Sequence, residues 1–322
     1  MPNIRYPRRG SMQYWPRKRA KTQVARVRSV PKGKGLLGFA GYKVGMTHAI
    51  IIDNRPNTKT KGEEISIPLT VLECPPIKIV GAVFYKKTVA GIRKAATIYG
   101  QIDKELQRTL KKPKKEQQKK LEDIEKELAS YVEARALVET QPKAIELKKT
   151  PEFFEMAIGG TITEQLQFIK DHMNKEIKVS DVFQDASVID THAVTKGKGF
   201  QGPVKRFGVS RRRHKSEKTI RGPGSLGGWS GQGKVMYRVA HAGQMGYHTR
   251  TEYNKQIIKV GTNPEEINPK GGFVSYGLVR SQFILIKGSV SGARKRMIKL
   301  IKALRPKDKL FKEAPAIVTI IK

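Results

Sequence analysis

Apolar and polar residues alternate in short runs along much of the chain, a pattern typical of β-strands. Residues 36–102 contain four such runs, THAIIID, EISIPLTVLE, IKIVGAVFYKK and RKAATIYGQI, separated by NRPNTKTKG, PP and AG. Runs rich in Val, Ile, Thr and Tyr between Gly and Pro predict strands joined by turns. Further strands are expected in ASVIDTHAV, NKQIIKVG, GGFVSYGLV, QFILIKGSV, MIKLIKAL and AIVTIIK. So many short strands favour a mainly β protein with a closed barrel over a parallel sheet.

The period of the pattern changes in the middle of the chain. In KKPKKEQQKKLEDIEKELASYVEARALVE glycine is absent and apolar residues recur at alternating spacings of three and four, at Leu121, Ile124, Leu128 and Tyr131. This spacing places the apolar residues on one face of a helix. It predicts an amphipathic helix of about 20 residues that begins after Pro113.

A second helix is expected in TITEQLQFIKDHM. Thr161 and Glu164 have the spacing of a capping box, in which each side chain satisfies a backbone N–H at the start of the helix. The two helices together predict an α insertion in the β domain. The expected divisions are a basic N-terminal extension at 1–35, a β-barrel domain at 36–102 and 176–322, a helical insertion at 103–175 and a long loop at 196–250.

The segment 197–246 follows neither period. It contains twelve glycines and few branched aliphatic residues, so we expect a long extended loop. A loop of that length cannot bury its own backbone polar groups, and within a compact domain it is either functional or disordered.

The charge of the chain is large and unevenly distributed. The 322 residues include 64 Lys and Arg against 28 Asp and Glu, a formal charge of +36, which indicates a large polyanion as partner. Cations concentrate in 1–35, 196–250 and 287–312, where Glu217 and Asp308 are the only carboxylates. Residues 150–195 carry more carboxylates than cations, so this acidic block is not expected to face the polyanion.

The sequence lacks the residues that several classes of function require. With Cys74 alone, no intramolecular disulfide or multi-cysteine zinc site can form, and a buried thiol in a reducing compartment is expected. The six histidines have no metal-ligand spacing, and no serine-hydrolase motif is present. No run of some 18 apolar residues exists, and the N-terminus has no apolar core of a secretory signal. We expect no metal, no cofactor and no membrane partner, and we take the N-terminus as part of the mature protein.

Because of three glycine-rich patterns, an enzyme remains an alternative interpretation of the sequence. GKGFQG at 197–202 and GPGSLG at 222–227 match G-x-G-x-x-G, but the residues after them contain Pro and Gly where a helix should begin. GWSGQGKV at 228–235 approximates a P-loop, with Val235 in place of the Mg²⁺-binding hydroxyl. These patterns leave an RNA-modifying or nucleotide-using enzyme as one alternative. A DNA-compacting protein is another, although the acidic block and the insertion oppose DNA compaction.

The residue types of 196–250 favour binding to RNA. Arginine and lysine neutralise phosphates, and glycine lets backbone N–H groups approach the sugar-phosphate chain. Aromatic rings stack on unpaired bases, and this segment contains Phe200, Phe207, Trp229, Tyr237 and Tyr247. With no known DNA-reading motif in the sequence, we expect binding that depends on shape and backbone.

The run VTKGKGFQGPVKRFGVSRRRHKSEKTIRGPGSLGGW, followed by KVMYRVAHAGQMGYHTRT, resembles the large-subunit ribosomal protein three family. The motifs K-G-K-G-F-x-G, R-x-P/G-G-S-L/I-G and A-G-Q-M-G in this order are specific to that family, and the resemblance covers nearly the whole chain. The basic N-terminus, the segment GFAGYKVGMTH and the insertion are similar to the archaeal and eukaryotic form, and the archaeal form is expected.

The resemblance implies a closed six-stranded β-barrel of the translation-protein type with an α insertion and long basic extensions. It further implies a structural constituent of the large ribosomal subunit, without enzymatic activity, which binds rRNA near the peptidyl-transferase centre and supports subunit assembly. The partners it implies are large-subunit rRNA and neighbouring ribosomal proteins. The protein is expected in the cytoplasm, within the subunit, and not as a homo-oligomer.

The resemblance also assigns the candidate rRNA contacts. Trp229 matches the tryptophan at the tip of the loop in eukaryotic members of the family, and Trp15 is expected to anchor the N-terminal extension. The contacts expected in that extension are Arg8, Arg9, Trp15, Arg17, Lys18, Arg19 and Lys21. Those expected in the loop are Lys196, Lys198, Phe200, Lys205, Arg206, Arg211, Arg212, Arg213, Lys218, Arg221, Trp229, Lys234, His241, Gln244, Tyr247, His248 and Arg250.

Two positions depart from the family. Ile220 occupies the place of a histidine that eukaryotic members methylate, and Gly228 stands where bacterial members have a methylated glutamine. Neither modification is expected in this chain.

Overall fold

The computed structural model describes residues 7–111, 121–216, 219–228, 233, 235–306, 310–311 and 313–322. The chain divides into two compact units, a smaller one of residues 1–22 and 194–249 and a larger one of residues 23–193 and 250–322. Both contain sheets, and helices are few and short. The chain is therefore mainly β, as the alternating pattern predicts.

The helices and strands have the following bounds. The strands are β1 (Gly35–Leu36), β2 (Gly38–Ile52), β3 (Glu64–Glu73), β4 (Ile77–Thr88), β5 (Gly91–Tyr99), β6 (Glu133–Thr140), β7 (Phe153–Gly159), β8 (Glu176–Ile177), β9 (Val188–Val194), β10 (Gly197–Gln201), β11 (Gly243–Gly246), β12 (Thr249–Gly261), β13 (Phe283–Lys287), β14 (Met297–Lys302) and β15 (Ile317–Ile321). The α-helices are α1 (Leu121–Lys126), α2 (Ile162–His172) and α3 (Pro203–Phe207).

One sheet of the larger unit contains seven strands in the order β14-β9-β12-β13-β3-β2-β15, and β14 also pairs with β2. Its longest pairing joins β2 to β3, from Tyr42 opposite Glu73 to Ile52 opposite Glu64. In β2 the inward Ala49 and Ile51 are fully buried while Ile52 is exposed. The alternation read from the sequence therefore describes one buried and one exposed face of this sheet.

The second sheet has the order β1-β7-β6-β4-β5, with β8 pairing with β4. Helix α2 packs on it through Gln165, which is buried. The Gln165 side-chain oxygen accepts a hydrogen bond from the Ala134 N–H of β6 at 2.8 Å, and its amide nitrogen donates to the Ile158 carbonyl of β7 at 3.1 Å. The helix covers the sheet at the point where both strands run side by side.

The core of the larger unit forms two clusters of apolar residues. The larger cluster includes Phe39, Tyr42 and Phe84, all fully buried, and the smaller one includes Leu69 and Phe283. A polar link crosses the larger cluster, since the Tyr42 hydroxyl and the Thr140 hydroxyl are 2.9 Å apart. Burial raises the pKa of Tyr42 above its ordinary value, so the phenol stays protonated.

Most of the predicted elements are confirmed. The four runs in 36–102 lie in β2, β3, β4 and β5, and β9, β12, β13, β14 and β15 occupy five of the six further runs. The capping box of α2 is present, with the Thr161 N–H donating to Glu164 at 2.8 Å and the Glu164 N–H donating to Thr161 at 3.4 Å. The local sequence is sufficient to predict these elements, because the turn residues and the alternation of apolar and polar residues agree.

The predicted helix of about 20 residues after Pro113 is confirmed in the described residues only at Leu121–Lys126, with a single 3-10 turn at Leu128–Ser130 after it. Helix α1 ends at Lys126, and EARALVET forms β6, while residues 112–120 lie outside the described residues. Strand β6 pairs with β4 from Thr140 opposite Ile77 to Glu133 opposite Tyr85. Pairing with β4 and β7 satisfies the backbone groups of β6 within the sheet, so the chain after Tyr131 forms a strand.

Two further predictions differ from the structure. The insertion at 103–175 is not purely helical, because β6 and β7 belong to the second sheet. The run GGFVSYGLV forms a turn closed by an isolated bridge between Phe273 and Gly277 in place of a strand. Its glycines allow the tight turn, since Gly277 has a φ of 105°.

Cys74 is a free and fully buried thiol, as its isolation in the sequence predicts. Burial raises its pKa above the ordinary value for a thiol. The thiol therefore stays protonated and packs as a small apolar group.

Lys299 of β14 gives the larger unit a testable dependence on pH. The side chain is buried, its Nζ lies 4.0 Å from the centre of the Phe154 ring, and burial lowers its pKa to about 8. The folded pKa is below the unfolded one, so the charged lysine destabilises the fold below pH 8, and this cost vanishes as the pH rises toward 10.5. Lys299→Met is expected to raise the free energy of unfolding by about 2 kcal/mol at pH 7.

The measurement is urea unfolding of both proteins at pH 7 and pH 10. The gain should shrink at pH 10, where the wild-type lysine is already neutral in the folded state and no charge is buried. Lys302→Met, at the less buried end of the same strand, is the control and should change little. A gain from Lys299→Met that is equal at both pH values would contradict the expectation.

Candidate RNA-binding surface

The smaller unit, residues 1–22 and 194–249, is here called the basic unit. Its sequence holds seven Lys and Arg in 1–22 and twelve in 194–249, against the single carboxylate Glu217. The predicted long loop is thus not wholly irregular, since β10, α3 and β11 fall within it. The cations of the basic unit are therefore carried by a segment that contains strands and a helix.

Strands β10 and β11 form the base of this unit. Gly197 lies opposite Gly246 and Phe200 opposite Gln244, with a shift of register between the two pairs. Gly246 has a φ of 72°, and a Cβ there would lie 2.1 Å from the Lys196 carbonyl oxygen. Glycine is therefore required for the two strands to approach at this point.

Helix α3 follows directly after GKGFQG, which corrects the expectation that no helix would follow. Pro203 occupies its first turn, and Gly208 ends it in the left-handed conformation at a φ of 69°. The helix has five residues. Its Arg206 donates hydrogen bonds to the Gln244 carbonyl at 3.0 Å and to the His241 carbonyl at 2.9 Å. Helix α3 thus ties the outgoing segment to the returning one.

The N-terminal segment packs on this base through Arg17. The guanidinium carbon of Arg17 lies 4.8 Å from the centre of the Trp15 ring and 4.4 Å from that of Phe207. Arg17 also donates to the Ser11 carbonyl at 2.6 Å. The Trp15 ring meets Tyr237 edge to face at 5.5 Å. Arg17 is therefore held between two aromatic rings, an arrangement that stabilises a cation at a partly dry site.

A second set of contacts closes the unit near the end of the N-terminal segment. The Ala20 N–H donates to the Tyr247 carbonyl at 2.8 Å, and a ring nitrogen of His248 lies 2.8 Å from the Lys18 carbonyl oxygen. The Arg19 guanidinium lies 5.1 Å from the centre of the Tyr247 ring. These contacts join segments more than 200 residues apart in sequence.

The predicted contact residues differ in exposure. Those with exposed side chains are Arg8, Arg9, Trp15, Lys18, Arg19, Lys21, Lys196, Lys198, Phe200, Lys205, Arg211, Arg212, Arg213, Arg221 and His241. Those that are half-buried are Arg17, Arg206, Gln244, Tyr247 and Arg250, of which Arg250 belongs to the larger unit, and His248 is buried. Lys218, Trp229 and Lys234 lie outside the described residues. The exposed cations present a surface, and the half-buried Arg17 and Arg206 hold segments of the basic unit together.

The chemistry available at this surface is that of cations and exposed rings. Phe200 is 78% exposed, so its face is open to a stacking partner. Burial lowers the pKa of Arg206, in keeping with its internal role.

Among the described residues no group of His, Cys, Asp and Glu could hold a metal ion. None of the described helices combines the length and apolar character needed to cross a bilayer.

The packing of Arg17 was not visible in the sequence. Its partners Ser11, Trp15 and Phe207 carry no shared local pattern, and Arg8 likewise donates to the distant Arg238 carbonyl at 2.9 Å. Aromatic residues within a basic segment were the available signal. The sequence predicts stacking on RNA for them, and the structure shows that Trp15 and Phe207 also pack on protein.

Arg17→Ala is expected to loosen the N-terminal segment of the basic unit. The change removes contacts to two rings and one carbonyl, together worth about 1–2 kcal/mol. Hydrogen exchange of the backbone amides in residues 11–22 should become faster in the free protein. Lys18→Ala, whose side chain is exposed, is the matched control and should leave exchange unchanged. Equal exchange in both variants would show that Arg17 does not hold the segment.

Comparison with known proteins gives consistent matches. The family model described as Ribosomal protein L3 matches residues 1–319. The large ribosomal subunit protein uL3 of Archaeoglobus fulgidus is 47% identical, over 93% of this chain and 92% of its own length. The proteins of the same name from Methanocaldococcus jannaschii and Methanothrix thermoacetophila are 45% and 42% identical, over 96% and 100% of this chain and 95% and 98% of their own lengths.

Proposed function

The chain belongs to the ribosomal protein L3 family, and we propose that its basic unit binds large-subunit rRNA near the peptidyl-transferase centre and supports assembly of the subunit. The family is structural and not enzymatic, so the nucleotide-using alternative is not retained. The partners we propose are large-subunit rRNA and neighbouring ribosomal proteins, with the chain present as a single copy.

The observation that carries the proposal is a folded unit whose exposed side chains are cationic. Arg211, Arg212 and Arg213 are all exposed, and the Arg212 N–H donates to the Ile220 carbonyl at 3.0 Å. This backbone contact holds the arginine-bearing segment at one point of the basic unit. Each cation that replaces counterions on a phosphate contributes a salt-dependent increment to binding.

The mechanism we propose is charge neutralisation by a pre-organised support. RNA segments that would repel one another can approach when arginines and lysines lie between their phosphates. The contacts of Arg17, Arg206 and His248 order the base of the unit before RNA binds. Ordering a support in advance lowers the entropic cost of binding.

The larger unit is proposed to be a closed six-stranded barrel of the translation-protein type. Strands β14, β9, β12, β13, β3 and β2 are neighbours in that order, and Ile298 of β14 lies opposite Gly41 of β2. This pairing of the first strand with the sixth supports closure. Closure would leave β15 as an added strand outside the ring.

The location near the peptidyl-transferase centre is tested by photo-cross-linking. A photoreactive amino acid at Trp229 in the assembled subunit should cross-link to rRNA of that centre, because the family's loop carries its tryptophan at the tip. The same group at Glu64, an exposed position of β3, is the control and should not reach it. Cross-links from position 229 that fall elsewhere in the rRNA, or on proteins, would contradict the proposed location.

A further inference from the structure

A second cationic element lies in the larger unit, at the turn between β4 and β5. Strand β6 pairs with β4 as far as Tyr85, opposite Glu133. Beyond Tyr85, β5 is the only strand in the described residues that pairs with β4. Residues 86–94, here called the distal hairpin, therefore extend from the sheet as a two-stranded ribbon.

The distal hairpin buries almost nothing. All residues from Lys87 to Ala95 are exposed, with Val89 fully exposed at the turn and Ile92 56% exposed. A two-stranded ribbon without a packed face is marginally stable in water. Its extension beyond the sheet thus gains little from packing within this chain.

Charge on the distal hairpin has one sign. Residues 86–102 contain Lys86, Lys87, Arg93 and Lys94 and no carboxylate. Lys86 lies directly opposite Arg93, and like charges at such a cross-strand pair are destabilising. Glu127 forms an ion pair with Lys86 at 3.2 Å.

The remaining cations of the ribbon have no ion pair within the described residues. Lys87, Arg93 and Lys94 all lack one there, and their side chains are exposed. An anionic partner would relieve the repulsion between them. The paired strands carry these cations on both faces, since Lys87 and Lys94 share one face and Arg93 lies on the other.

We propose that the distal hairpin is a second RNA-binding element, which contacts the sugar-phosphate backbone on the two sides of a groove in an rRNA helix. A narrow ribbon that carries cations on both faces can contact phosphates that lie on both of its sides. The exposed apolar surface, essentially Val89 and Ile92, is too small to form the apolar centre of a stable protein interface. The inference rests on the proposed function, because it takes rRNA as the ligand.

The test uses the full-length protein and large-subunit rRNA transcribed from Archaeoglobus fulgidus, whose protein is 47% identical. Binding constants are measured against salt for the wild type and for the triple variant Lys87→Ala, Arg93→Ala and Lys94→Ala. Loss of up to three phosphate contacts should reduce the steepness of the log K against log salt line by about 2. A triple variant of exposed lysines among carboxylates, Lys104→Ala, Lys149→Ala and Lys175→Ala, removes the same charge and should leave the slope unchanged.

The outcomes separate this inference from the proposed function. Equal slopes for the distal hairpin variant and the control would overturn the inference, and the proposed function would stand if replacement of Arg211, Arg212 and Arg213 still lowers the slope. If none of the variants changes the slope, the proposed function itself fails. Equal thermal midpoints in circular dichroism confirm that the variants fold.

A second measurement identifies the partner directly. A photoreactive amino acid in place of Val89 should cross-link to rRNA in the assembled subunit. Cross-links to a ribosomal protein alone would show that the distal hairpin is a protein contact and would overturn the inference.

Discussion

Replacement of Arg211, Arg212 and Arg213 by alanine is expected to make rRNA binding much less sensitive to salt. All three side chains are exposed, and the Arg212 N–H joins this part of the basic unit to the Ile220 carbonyl. If each arginine neutralises one phosphate, their loss lowers the steepness of log K against log salt by about 2 to 3. The measurement is filter binding of the free protein to large-subunit rRNA at several salt concentrations.

The control for this experiment carries the same loss of charge at other exposed positions. Lys104→Ala, Lys149→Ala and Lys175→Ala together should leave the slope near that of the wild type, because Lys149 and Lys175 lie close in sequence to carboxylates. A fall in slope of equal size in both variants would mean that overall charge, and not these three arginines, determines binding. The fold should survive in both, since none of the changed side chains is buried.

Glu73→Ala is expected to lower the free energy of unfolding of the larger unit by about 3 kcal/mol or more. The Glu73 carboxylate is fully buried at the end of β3 and accepts hydrogen bonds from the Arg280 N–H at 2.6 Å and the Ser281 N–H at 2.9 Å. The Tyr276 hydroxyl also donates to it. Burial, and then the charge of Glu73, raise the pKa of Tyr276, which keeps the phenol protonated as a donor. Alanine would leave these donors without their acceptor.

Urea unfolding measures this effect, with Glu64→Ala as the matched control. Glu64 begins the same strand and is exposed, so its loss should change the free energy of unfolding by less than about 0.5 kcal/mol. Similar free energies of unfolding for the two variants would show that the segment with Tyr276, Arg280 and Ser281 does not depend on the Glu73 carboxylate.

Much of the fold was predictable because local and global preferences agree. The strands of 36–102 and the capping box of α2 coincide with the structure. Strand β6 was missed because Leu121, Ile124 and Leu128 set a helical period that ends before Glu133, where the strand begins. A period measured over a window cannot locate the residue at which pairing with a distant strand becomes more favourable.

The candidate surface was predictable in composition but not in architecture. Charge and glycine content identify 1–35 and 196–250 as the segments for a polyanion, and the exposed cations of the basic unit are consistent with that prediction. The contacts of Arg17 with Phe207, of Arg206 with His241 and of His248 with Lys18 could not be predicted from local sequence. Each of them joins positions far apart in sequence, where no local pattern records a partner. The distal hairpin was missed because its four cations are few beside the other basic segments.

The sequence by itself determined the class of partner, the mainly β character and the family, because charge, period and motif are properties of the order of residues. Tertiary structure alone decided which cations face outward and which hold the basic unit together. Arg17 and Arg211 are chemically alike, yet one lies between the Trp15 and Phe207 rings and the other is exposed. The physical reason is that burial depends on residues brought together by folding, and a side chain's charge does not specify its neighbours.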